Sequence, residues 1–251
     1  MPRNIIAGNW KMNTTFPESI ALAIEIREQP KPASGCEVVI FPPFTSLLSV
    51  RDALRGTYIQ TGAQNVYPEE SGAFTGEIAP NMLQDLCQYV LVGHSERRTL
   101  FNESNELIRK KIEACVNNDL KPFLCIGENS EQKINGDTST VLKTQLESAL
   151  SGLNDISNLV IAYEPVWAIG TGETAIPEEV DDIMGNDIKT VLRSLFGNGS
   201  NDTPLLYGGS INPGNISNFV GLDNVNGALV GGASLNANQF CELVRQFSKS
   251  T

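Results

Sequence analysis

Short runs of apolar residues alternate along the whole chain with longer amphipathic stretches. The short runs predict strands over Ile5 to Gly8, Glu37 to Phe41, Tyr58 to Gly62, Tyr89 to Val92, Pro122 to Cys125, Leu159 to Tyr163, Leu205 to Tyr207 and Ala228 to Val230. Most are apolar at nearly every position, as in Val38-Val39-Ile40 and Leu159-Val160-Ile161-Ala162, which is the pattern of parallel strands covered on both faces. The longer stretches predict helices over Pro17 to Glu28, Thr45 to Leu54, Pro80 to Leu86, Asn105 to Asn118, Thr138 to Leu150, Pro177 to Phe196, Pro213 to Phe219 and Asn236 to Phe247. Pro17, Pro177 and Pro213 stand near first turns, where a missing N–H leaves no bond unmade, and Glu178 and Glu179 suit a positive helix N-terminus.

This alternation continues without a Ser/Gly-rich linker or a break in composition. It predicts an α/β chain folded as a single closed (β/α)8 barrel over residues 1–251, with a doubly wound open sheet as the structural alternative. Connections in such folds are short, so two long segments stand out. Residues 64–77 carry Gly72, Gly76 and a bare Phe74, too apolar for a solvated loop; they either fold onto their own barrel or dock on another molecule. Residues 165–175 follow the strand-end acid Glu164. Pro165 stiffens their start, Gly170 and Gly172 loosen their far end, and Val166, Trp167 and Ile169 between them can close over a bound molecule as a lid.

Composition narrows the function classes. With 41% hydrophobic and 19% charged residues the chain is ordinary globular protein, and no apolar run approaches the ~20 residues of a membrane span. Residues from Asn4 onward enter a strand almost at once, with no signal-peptide pattern, so a cytoplasmic location is expected. Five widely spaced cysteines, no CxxC pair and a single histidine argue against structural zinc and against a disulfide framework. The net charge of −11 disfavours nucleic acid and anionic membranes as partners. Any phosphate must then be held by a local arrangement of lysine, backbone N–H groups and helix N-termini.

Strand ends supply the candidate chemistry. A parallel barrel gathers its strand carboxyl ends at one face, which brings Lys11, His94 and Glu164 to a shared cleft. Carboxylate, ammonium and imidazole suffice to move protons next to a carbonyl. Each residue also has a plainer account: Lys11 as solvated surface, His94 as a structural ring, Glu164 as half of an ion pair with an arginine. His94 precedes Ser95-Glu96, a plausible helix start, where the positive helix end would keep the ring neutral. Two glycine-rich turns, Gly208-Gly209-Ser210 and Gly231-Gly232-Ala233-Ser234, follow the last two strands and offer bare backbone N–H groups to a phosphate, or simply permit tight turns. Gly170-Thr171-Gly172-Glu173-Thr174-Ala175 fits a dinucleotide fingerprint in letters only, since Pro165 to Ile169 separate it from its strand.

Seven motifs in order carry a family resemblance: Gly8-Asn9-Trp10-Lys11-Met12-Asn13, Gly72-Ala73-Phe74-Thr75-Gly76-Glu77, Gly93-His94-Ser95-Glu96-Arg97-Arg98, Cys125-Ile126-Gly127-Glu128, Ala162-Tyr163-Glu164-Pro165-Val166-Trp167-Ala168-Ile169-Gly170-Thr171-Gly172, Tyr207-Gly208-Gly209-Ser210 and Gly231-Gly232-Ala233-Ser234-Leu235. Through them the chain resembles the triosephosphate isomerases from its first strand to its last helix. The resemblance implies a TIM barrel that interconverts dihydroxyacetone phosphate and D-glyceraldehyde 3-phosphate through an enediolate, with no cofactor and no metal. It implies Glu164 as the base, neutral His94 as hydrogen-bond donor, Lys11 and Asn9 as stabilisers of negative charge, and Glu96 as a carboxylate beneath Lys11 and His94. Gly170, Ser210, Gly231 and Gly232 would hold the phosphate through their backbones. Loop 64–77 would dock into a second copy, Thr75 reaching its Asn9 and Lys11, to give a homodimer; Cys125 would pack near the base. Glu173 and Asn226 depart from the family pattern, where lysine and aspartate are usual, and Asn226 would forgo an ion pair with Arg193. Rival readings are a barrel isomerase of phosphoribosyl substrates, which the bulky lid disfavours, and an inactive scaffold that keeps the fold.

Overall fold

The computed structural model describes residues 2–32, 35–168 and 175–248. Eight strands, β1 (Asn4–Asn9), β2 (Cys36–Phe41), β3 (Ile59–Ala63), β4 (Tyr89–Val92), β5 (Lys121–Ile126), β6 (Val160–Tyr163), β7 (Leu205–Tyr207) and β8 (Gly227–Val230), pair in sequence order into a closed barrel. All pairs are parallel, and β1 closes on β8 through Ile5–Gly227, Ile6–Ala228, Ala7–Leu229 and Gly8–Val230. Closure leaves no strand edge unpaired in the barrel.

Continuous apolar runs are required because every strand but β3 feeds two cores. Ile5, Ala7, Val39, Phe41, Tyr89, Leu91, Phe123, Cys125, Val160, Ala162, Leu206 and Leu229 fill the barrel interior. Their neighbours, including Ile6, Val38, Ile40, Val90, Val92, Leu124 and Ile161, pack outward against the helices. Inside, Phe123 meets Phe41 and Tyr89 edge-on at 5.2 and 5.1 Å between ring centroids. Gly62 makes room there, since a Cβ on it would stand 2.2 Å from the Phe41 ring.

The outer layer comprises α1 (Phe16–Glu28), α2 (Leu47–Ala53), α3 (Ser95–Leu100), α4 (Asn105–Asn117), α5 (Ser130–Ile134), α6 (Thr138–Leu150), α7 (Pro177–Asp182), α8 (Thr190–Phe196) and α9 (Ala237–Ser248). Two expected helices are absent as such. Pro80 to Leu86 forms only the 3-10 turn Pro80–Met82, because Leu83 is its one deeply buried anchor after Pro80 and Gln84 turns away to bond Asn118. Pro213 to Phe219 shrinks to Ile216–Asn218, because Asn215 Oδ1 takes the Asn212 N–H and Asn212 Oδ1 takes the Gly214 N–H, an alternative to helical bonding. The predicted Pro177 to Phe196 helix runs as α7, a π-helical stretch Ile183–Lys189 and α8. Within that stretch Gly185 lets Asn224 approach, where a Cβ would stand 2.7 Å from its side-chain nitrogen. α3 begins at the expected helix start Ser95-Glu96, and α5 adds to the expected set, capped reciprocally by Asn129 and Gln132. No described helix is long and apolar enough to cross a membrane.

Candidate active site

The carboxyl ends of the strands surround a cavity of about 340 Å³ lined by Asn9, Lys11, His94, Glu164, Ser210, Gly231 and Gly232, among others. A larger cleft of about 460 Å³ opens at the opposite barrel end, beside Leu120, Pro122 and Leu159; its lining carries the carboxylates Glu113, Asp119 and Asp155 but no lysine or histidine to work with them. Chemistry, not size, distinguishes the first.

Asn9 ends β1 and accepts the Lys11 N–H at 2.9 Å. Lys11 is held at φ +54°, a left-handed conformation that costs a lysine of order 1 kcal/mol or more. Gln64 secures it by donating from Nε2 to the carbonyls of Lys11 and Phe41 at 2.8 and 2.9 Å. So fixed, the Lys11 ammonium lies 2.5 Å from Glu96 Oε1, on the first turn of α3.

β4 reaches α3 through Gly93 at φ +72°. Arg98 braces this turn, donating to Gly93 O at 2.7 Å, Cys125 O at 3.0 Å and Asn105 Oδ1 at 2.7 Å. His94 caps α3: its Nδ1 accepts the Glu96 N–H at 3.2 Å, while the Glu96 carboxylate at 3.7 Å is too distant to bond. An accepting Nδ1 carries no proton, which assigns the ring proton to Nε2. Nε2 faces Glu164 Oε1 at 3.1 Å.

Glu164 follows β6 and is only 2% exposed. Its second oxygen accepts the Ser95 N–H at 2.9 Å, so helix α3 serves both His94 and the carboxylate. Glycines flank it: a Cβ on Gly127 would stand 1.8 Å from Glu164 O, and one on Gly208 would stand 2.8 Å from Glu164 Cγ. The Arg98 guanidinium nearby is engaged with Gly93, Cys125 and Asn105, so the ion-pair account of Glu164 does not hold. Behind the acid, Cys125 is fully buried, and burial pushes its thiol well above the ordinary range, as a packing residue requires.

Ser210 follows β7, and Gly231 leads into the 3-10 turn Gly232–Leu235 after β8. A Cβ on Gly231 would lie 3.5 Å from Lys11 Cε, so the glycine turn and the ammonium face one volume. Gly170 and Glu173 lie outside the described residues. The start of the expected lid is held by Glu128, which accepts from Trp167 Nε1 at 2.8 Å and Tyr163 OH at 3.1 Å and whose carboxyl is pushed up by burial. Thr75 does not line the cavity; it sits exposed on loop 64–77, which folds back through Tyr67 N–H to Ile78 O at 2.8 Å and Tyr67–Phe74 ring contact at 4.5 Å. Asn226 accepts the Leu205 N–H at 3.0 Å, and Lys189 reaches this loop by bonding Asn224 Oδ1 at 2.8 Å.

Sequence reasoning did not single out Gln64, and it named Ser95 as a helix start and Gly208 as part of a phosphate turn without their contacts to Glu164. Ser95 acts through its backbone, so its side chain carried no signal. Gln64, a long polar side chain directly after a strand, could have been noticed.

Fold and site define a class: a (β/α)8 barrel with an acid–base cluster and glycine turns for an anion at its carboxyl face. The chain belongs to the triosephosphate isomerase family, whose model matches residues 4–247. It is 47% identical over 247 residues to the triosephosphate isomerase of Dehalococcoides mccartyi, covering 98% of this chain and 97% of the relative. The corresponding protein of Caldanaerobacter subterraneus is 45% identical over 248 residues, covering 97% and 99%. That of Clostridium tetani is 46% identical over 244 residues, covering 96% and 95%.

Proposed function

We propose that Glu164, His94, Lys11 and Asn9 carry the isomerisation of triose phosphates that family membership assigns to this chain. The observation that bears most weight is the convergence of His94 Nε2 and Glu164 Oε1 at 3.1 Å on the wall of the cavity that Lys11 and Gly231 also line. A substrate carbonyl oxygen entering there takes the Nε2–H that Glu164 now accepts, which leaves the carboxylate facing the adjacent carbon. Glu164 removes a proton from that carbon and returns it to the neighbouring one, while the hydroxyl proton passes from one substrate oxygen to the other through His94 Nε2. The enediolate between the two steps keeps its negative charge beside the Lys11 ammonium and the Asn9 amide. A neutral histidine beside a carboxylate base is the long-known pattern of this family and is inherited here with it.

Glu96 keeps Lys11 and His94 in register, since its carboxylate holds the ammonium and its N–H fixes the ring tautomer. The phosphate rests on backbone N–H groups of Ser210, Gly231, Gly232 and Gly170. Residues 165–175 act as the lid: an enediolate phosphate exposed to water expels phosphate, so the intermediate needs cover. The chain works as a homodimer through loop 64–77, with Thr75 reaching Asn9 and Lys11 of the second copy. Exposed Met12, Phe74, Met82, Leu100 and Phe101 favour such a docking face. Thiols free of disulfides suit the cytoplasm.

A coupled assay of both triose phosphates tests the reading together with Glu164→Asp. Retracting the carboxylate by one methylene should lower kcat by about 100-fold or more and leave inhibition by inorganic phosphate within about twofold. An active wild type with an equally active Glu164→Asp variant would remove Glu164 as the base.

A further inference from the structure

One side chain outside the barrel grips the turn on which Glu164 rests. Gln145, on α6, accepts the Gly127 N–H at Oε1 at 2.9 Å and donates from Nε2 to Gly127 O at 3.0 Å. A single amide thus satisfies both backbone groups of one residue, fixing its direction as well as its position. Gln145 also breaks a pattern: it falls on the stripe of α6 whose other members, Leu142, Leu146 and Ala149, are buried and apolar. A polar group on such a stripe has a partner to satisfy.

What Gly127 supports is the backbone of the base. Its missing Cβ would stand 1.8 Å from Glu164 O, so the two main chains are in direct contact. On either side of that contact Glu164 N–H donates to Ile126 O at 2.7 Å, and Val166 N–H donates to Glu128 O at 3.0 Å. Three consecutive residues, the last of β5 and the two after it, therefore register the segment carrying Glu164, and Gln145 fastens the middle one. Gly127 has no side chain with which to anchor itself. Beside it lies a cavity of about 160 Å³ shared by Ser95, Arg98, Gln145 and Glu164, so the turn has space to shift into once released.

We propose that Gln145 is a positioning residue for the base, acting through Gly127 to set where the Glu164 carboxylate begins its reach to substrate. This rests on Glu164 being the base. The test is Gln145→Met, which keeps the length and most of the volume of the side chain but neither hydrogen bond. The expected result is kcat lower by about 10- to 100-fold, as for a reacting group displaced by up to an ångström, with KM and inhibition by inorganic phosphate within about twofold. A folded Gln145→Met with kcat within twofold of the unmodified protein overturns the proposal. So does a loss shared equally by kcat, KM and phosphate inhibition, which marks general disturbance. If Gln145→Met does not fold, Gln145→Glu, which still accepts the Gly127 N–H but repels Gly127 O, is read against the same criteria, and wild-type kcat in it is equally fatal. Absence of isomerase activity in the unmodified protein would instead remove the reading of Glu164 itself.

Discussion

A lysine buried to 2% exposure needs partners that offset the hydration its ammonium has lost. Lys111, on α4, gives its ammonium to Glu103 and, at 2.8 Å, to Asn65 Oδ1, while Arg97 bonds the same Glu103 oxygen from the other side. Burial pushes the Lys111 ammonium below its ordinary value and the Glu103 carboxylate opposes that shift. The second Glu103 oxygen is buried without a bond. Such a cluster resists removal of one member far more than replacement of both. Lys111→Met is therefore expected to lower unfolding free energy by about 3 to 5 kcal/mol, and Lys111→Met with Glu103→Leu to recover much of it, both read by urea denaturation. Equal losses in the single and double variants would contradict the account.

Elements were legible from the sequence to the extent that one face or both faces had to be apolar. All eight strands were read, seven of them because they feed two cores, and α1, α4, α6 and α9 because their apolar stripes are long. The misreadings at 80–86 and 213–219 occurred where a short stretch held few buried anchors and asparagine side chains competed for backbone bonds. Strand ends made Lys11, His94 and Glu164 visible, since a charged or polar residue directly after an apolar run needs a reason. Residues that act from behind were less visible. Lys111 lies among buried Ile108, Ile112 and Cys115 on α4, and Gln145 among Leu142, Leu146 and Ala149 on α6. In both, a polar residue interrupting an apolar stripe was the available signal. The π-helical stretch Ile183–Lys189 had no comparable mark, because its partner, Asn224, lies on a distant loop, bound to Asp181 by its N–H at 2.8 Å and to Lys189 at its Oδ1.

Several large apolar side chains are left exposed that the barrel does not need for itself. Met12 is 97% exposed, Leu100 70% and Phe101 63%, figures too high for residues that serve the chain's own core. If loop 64–77 docks there on a second copy, sedimentation equilibrium should give twice the chain mass, and Phe74→Asp should give monomer with much reduced activity. A wild-type monomer of full activity would dismiss the dimer. Charge acts on the same scale and in the opposite sense to the site. The chain carries −11 overall, while the ammonium lining the cavity, Lys11, is already paired with Glu96. An anionic substrate must therefore diffuse toward a body that repels it and is captured only at short range. Salt weakens repulsion over more than about 10 Å at 0.1 M yet leaves close N–H contacts largely intact. Adding sodium chloride from about 10 to 100 mM should then raise kcat/KM, the reverse of an electrostatically steered enzyme; a steep fall would mean that the local field governs the encounter.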